Sequence, residues 1–112
     1  MNLDIRRVAG MVVLYVFTGM FQIARAADAA AGKVVYLSKC KTCHGSDGQG
    51  NAGMAKVLKT EIKPLSSVNV QSMSDADLKK TITEGKGKMK PVAVSGSDLD
   101  NVVAFVKTLK SS

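Results

Sequence analysis

Two thiols and an imidazole fall within five consecutive residues, Cys40-Lys41-Thr42-Cys43-His44. On a helical turn they occupy positions i, i+3 and i+4, so both sulfurs and the ring share one face. C-x-x-C-H is the spacing at which two cysteines add to the vinyl groups of a porphyrin while the histidine ligates its iron, and it predicts one covalently bound haem c. An exported cysteine pair could instead close as a disulfide, but a disulfide leaves His44 without a role. Thiol–disulfide exchange by Cys40 and Cys43 lacks a βαβ context, and a zinc site would have only three obvious ligands.

His44 is the sole histidine, which excludes two-histidine ligation of iron from within this chain. A thioether is the next soft donor suited to haem iron in electron-transfer proteins. Beyond the first 26 residues the methionines are Met54, Met73 and Met89. Met89 is the expected distal ligand, because it lies far enough along the chain to reach the opposite haem face. Gly85 and Gly87 permit the turns before it, and Pro91 stiffens the exit. Met54 is close to His44 for such wrapping, and Met73 is expected to pack as core. A lysine donor would need a deprotonated amine.

Residues 1–26 read as a secretory leader: Arg6 and Arg7 open it, Val8 to Ala24 is almost wholly apolar, and Ala24-Arg25-Ala26 is a small-x-small cleavage site. Ala27-Asp28-Ala29 is a second site of the same type. Retained, the apolar run sits at the short limit for an anchor. The expected domain therefore covers residues 27–112 and is periplasmic, or membrane-anchored and facing the periplasm if the leader stays. Export and haem attachment agree, since c-type attachment is completed outside the bacterial cytoplasm.

All three arginines lie in the leader, so residues 27–112 carry 13 lysines against 8 carboxylates. The resulting excess suits an acidic partner. Lys39, Lys41, Lys86, Lys88 and Lys90 flank the two segments expected to meet at the haem edge. Nucleic-acid binding is not expected from an exported chain with so few aromatic residues. Only Tyr36 and Phe105 are aromatic beyond the leader. A chain this short needs a staple, which a haem disc would supply, and little folding is expected without it.

The elements read as helical. Ala29 to Lys39 runs into the haem motif, with Gly32 and Tyr36 on one face. Gly45 to Gly53 is loop, Met54 to Lys59 a short helix, and the stretch around Pro64 an extended linker. Ser74 and Asp77 form a cap before a helix bearing Leu78 and Ile82, which Gly85 ends. Ser97-Asp98-Leu99-Asp100 repeats that capping pattern before a last helix striped with Leu99, Val102, Val103, Val106 and Leu109. Gly48-Gln49-Gly50-Asn51-Ala52-Gly53 matches G-x-G-x-x-G, but without a preceding strand it is expected to border the haem edge rather than bind a nucleotide.

These residues together resemble the small monohaem class I cytochromes c. The resemblance spans most of residues 27–112, from Gly32 and Tyr36 through Cys40-Lys41-Thr42-Cys43-His44-Gly45 to the Met89 loop and last helix. It implies an all-α cytochrome c fold of three to four short helices wrapped around one haem, with the first and last helices crossing. That crossing sets Gly32 and Tyr36 against Val102, Phe105 and Val106. The resemblance also implies a proline carbonyl accepting from the other ring N–H of His44, for which Pro64 is the candidate. Many members have proline directly after the methionine, whereas this chain has Met89-Lys90-Pro91.

The expected function is electron transport between redox partners of the respiratory chain by a monomer, without bond-making catalysis. His44 and Met89 would fill both axial positions. The alternative is a haem c subunit of a membrane-bound oxidase or dehydrogenase.

Overall fold

The computed structural model describes residues 26–110. Apart from Ala26, the expected leader lies outside the described residues. Among them the regular structure is helical: α1 (Ala29–Lys39), α2 (Lys41–His44), α3 (Ala52–Leu58), α4 (Val68–Gln71), α5 (Asp75–Glu84) and α6 (Gly96–Lys107). Only an isolated antiparallel bridge between Lys86 and Met89 pairs extended backbone there. The fold is thus all-α, with six helices where three to four were expected, because α2 and α4 are single turns of four residues.

α1 starts where Asp28 accepts the Ala30 and Ala31 N–H groups, two donors left without partners at a helix start. The Asp28 N–H donates in turn to Asn101 Oδ1 at 2.8 Å, tying the start of α1 to α6. α1 and α6 cross in the most extensive helix pairing of the described residues. Gly32 and Tyr36 are the buried residues of α1, and Val102, Val103, Phe105 and Val106 those of α6. At the crossing Gly32 faces the Asn101 carbonyl and the Val102 N–H, a separation that leaves no room for a side chain. The rings of Tyr36 and Phe105 meet with centroids 5.1 Å apart, tilted by 53°. The crossing set out above is therefore present.

α5 follows the sequence pattern. Ser74 accepts the Asp77 N–H at 3.1 Å, Leu78 and Ile82 are buried one turn apart, and Gly85 ends the helix. α6 departs from it: Ser95, not Ser97, is the N-cap residue, and its side chain makes no capping bond. α4 follows the linker around Pro64, where the sequence pattern gives no helix. Its β-branched Val68 and Val70 favour helix weakly, and tertiary bonds hold the turn, since the Gln71 amide donates to the Leu65 and Val106 carbonyls at 2.8 and 3.0 Å. Lys107 donates to the Gln71 and Met73 carbonyls from α6. Met73 packs partly buried against the core as expected.

Candidate haem-binding site

The haem motif forms the single turn α2, directly after α1. A four-residue helix leaves its last carbonyls without intrahelical partners, and here neighbouring groups take them in order. The Gly45 N–H donates to the Lys41 carbonyl at 2.8 Å, Asn51 Nδ2 to Thr42 at 3.1 Å, the Asn51 N–H to Cys43 at 2.9 Å and the Gly50 N–H to His44 at 2.7 Å. Tyr36 reaches across from α1 to donate its hydroxyl to the Gly45 carbonyl at 2.5 Å. The motif is fastened on both flanks, by α1 and by the loop after it.

Asn51 continues into α3. Its Oδ1 accepts the Gly53 and Met54 N–H groups at 2.9 and 3.2 Å, and so starts the helix two residues before the expected Met54. Met54 and Leu58 of α3 line a cavity of about 840 Å³ together with Cys40, Cys43 and His44. A separate segment of the chain contributes Met89, Pro91 and Val92. It is held by a two-residue turn in which Lys86 and Met89 exchange backbone hydrogen bonds of 2.9 Å in both directions. Gly87 occupies the first central position with φ +57°, the preference of a tight hairpin turn. The Val92 N–H then donates to the Ile82 carbonyl at 2.8 Å, fixing the wall to α5.

The cavity falls within the roughly 300–1,000 Å³ common to cofactor sites. Cys40 and Cys43 are free and half-buried, not joined as a disulfide. Burial pushes the Cys40 thiol up, with Lys39 opposing and Cys43 adding to the shift. Burial also holds His44 below the usual imidazole range, which favours the neutral ring that can ligate a metal. The buried Nδ1 of His44 has no hydrogen-bond partner. An apolar cavity of this size, two free thiols and a neutral imidazole on one rim fit a covalently attached haem.

Lys39, Lys63, Lys86, Lys88 and Lys90 also line the cavity, whereas Lys41 does not. Pro64 departs from the expectation drawn from resemblance. Its carbonyl accepts the Ser67 N–H at 3.1 Å, and no hydrogen bond joins it to His44. Sequence reasoning missed Asn51, which carries no metal-binding chemistry. The available signal was its place at the head of a short helix, where asparagine is a preferred cap.

The model of the family described as "Cytochrome C oxidase, cbb3-type, subunit III" matches residues 27–106. The chain belongs to the cytochrome c family. It is 39% identical over 94 residues to cytochrome c-554(547) of Halothiobacillus neapolitanus, an alignment covering 76% of this chain and all of that one. It is also similar to the solved structure of KustC0563 c-type cytochrome, with a TM-score of 0.61 and 27% identity over 71% of this chain and 98% of that one. As a cytochrome of this family the protein is an electron carrier, and its cofactor is haem c, covalently bound, for which the Cys40–Cys43 pair has the attachment spacing. Among the described residues of the cytochrome no helix is long and apolar enough to cross a membrane.

Proposed function

We propose that this cytochrome passes single electrons between periplasmic protein partners as a monomer, with His44 the proximal and Met89 the distal axial donor to one haem c. Bound haem supplies the one-electron Fe(III)/Fe(II) couple, toward the oxidising end of its range under mixed nitrogen and thioether ligation. The residues of the chain do the rest. Cys40 and Cys43 would hold the group covalently, His44 would offer a neutral imidazole and Met89 sulfur, and Leu58, Pro91 and Val92 would line it with apolar surface. His44 and Met89 would both hold the iron, so that the group would change oxidation state with little rearrangement of the chain.

One observation carries this reading: Met89 lines the same cavity as Cys40, Cys43 and His44, yet comes from a separate segment moored to α5. Met54 lines it too, but α3 is tied to the His44 turn directly through Asn51. The lysines at the cavity favour an acidic partner and a short-lived complex. The apolar run of residues 8–24 supports export, with membrane attachment following only if the leader is retained. The test is Met89→Ala. The sulfur-to-ferric-iron charge-transfer absorption of the wild-type protein should vanish, and its survival would remove Met89 from the ligand set.

The description of the matched family favours a second reading, a haem c subunit of a membrane-bound oxidase complex. Mass spectrometry of the mature protein separates the two. Loss of residues 1–26 together with monomeric behaviour opposes the subunit reading.

A further inference from the structure

We propose that Asn51 is a positioning residue for the haem site, acting through His44 and the α3 wall rather than touching the cofactor. The inference rests on His44 being an axial ligand. Asn51 sits at the junction of the two elements that build one side of the cavity, and it bonds to both with backbone and amide. Its N–H and Nδ2 donate to the Cys43 and Thr42 carbonyls, and its Oδ1 accepts from Gly53 and Met54. The preceding Gly50 N–H takes the His44 carbonyl. Three successive carbonyls of the haem motif thus end on two adjacent residues, and the same side chain starts the helix carrying Met54 and Leu58 into the cavity.

Capping alone does not require asparagine, since serine or aspartate accepts the same N–H groups. Asparagine differs in having a donor as well as an acceptor. The donor goes to the Thr42 carbonyl, within a helical turn too short to hold itself. Asn51 is exposed, so water can satisfy the Thr42 carbonyl in its absence. Water cannot replace the tie from the start of α3 to Thr42, the third link between α2 and α3 beside the backbone bonds to Cys43 and His44. The asparagine therefore matters for orientation more than for stability, and its loss should be felt at the iron before it is felt in folding.

Asn51→Ser separates the roles, because it keeps a neutral cap acceptor and removes the donor that spans to Thr42. In the haem-loaded protein it should attach haem normally and melt close to wild type. It should also displace the hyperfine-shifted His44 ring resonances of the ferric form, move the midpoint potential, and lose at least tenfold of the amide exchange protection at Gly50 and Asn51. Asn51→Ala should show the same changes with an added drop in melting temperature. If Asn51→Ser matches wild type in ring resonances and potential, the inference is overturned, whether or not amide protection falls. If it matures without haem, Asn51→Asp, with the same cap acceptor, is judged on ring resonances and amide protection alone. Failure of the underlying reading shows in wild type: His44 ring resonances within the diamagnetic range would mean that His44 is not a ligand.

Discussion

A methyl group built on Gly32 would lie 1.8 Å from the Asn101 carbonyl oxygen and 2.9 Å from the Val102 nitrogen. Backbone meets backbone where α1 crosses α6, and neither side has a flexible atom to withdraw. Glycine inside a helix costs about 1 kcal/mol relative to alanine, so this glycine is retained against local preference for the sake of the crossing.

Gly32→Ala should therefore destabilise the protein although it improves the helix. Forcing extra volume into a packed contact costs on the order of 1–3 kcal/mol, occasionally more. For a domain of this size that corresponds to a melting temperature lower by roughly 5–20 °C. Thermal unfolding followed at the haem absorption and by circular dichroism checks it; an unchanged or raised melting temperature would show that the helices can part at no cost.

Tyr36 is wholly buried, and burial is the main reason its phenol is pushed up to about 12, with Asp47 adding to the shift and Cys40 adding only while its thiol is free. Since the folded value lies above the ordinary value of 10, the neutral phenol is the form that folding favours. Its contribution is whole below pH 10 and is lost as pH climbs from 10 to about 12. In protein lacking residues 1–26 Tyr36 is the single tyrosine, so the tyrosinate absorption of that folded protein should rise with a midpoint near 12. Tyr36→Phe should abolish that step and cost about 1–2 kcal/mol near neutral pH through the unpaired Gly45 carbonyl.

The cavity lysines should govern the rate with which an anionic oxidant collects electrons. Lys86→Gln, Lys88→Gln and Lys90→Gln combined should slow oxidation by ferricyanide by about tenfold at low ionic strength, the lower end of what steering supplies. The difference should shrink as salt screens the field. Stopped-flow kinetics over a salt series is the check, and equal rates at low salt would assign these lysines to solvation alone.

Without haem the fold should largely fail. The buried core comprises Tyr36, Leu78, Ile82, Val102, Val103, Phe105 and Val106, beside a cavity larger than any of them. A Cys40→Ala/Cys43→Ala chain should lose most of its far-ultraviolet helical signal, and native-like ellipticity in that variant would mean that the α1–α6 crossing folds alone.

Sequence and structure agree for most features whose determining contacts are local. C-x-x-C-H, the Ser74 cap, the Leu78–Ile82 pair and the apolar stripe of the last helix all express spacings within a few residues. The α1–α6 crossing was available only through resemblance, because nothing local states which helix Gly32 must meet. α4 escaped notice because its support comes from Gln71 reaching Leu65 and Val106. The start of α6 was misplaced because serine occurs at both Ser95 and Ser97, with Gly96 between them at φ +59°. Only analogy links Pro64 to His44; its carbonyl accepts from Ser67, and His44 Nδ1 is without a partner.

The turn before Met89 is closed by a reciprocal pair of bonds and followed by a mooring at Ile82. Such a segment behaves as a spacer of fixed span. Replacing Lys88 leaves every one of those bonds intact, whereas one residue inserted between Lys86 and Met89 must break the reciprocal pair. In this stretch length is under tighter constraint than lettering.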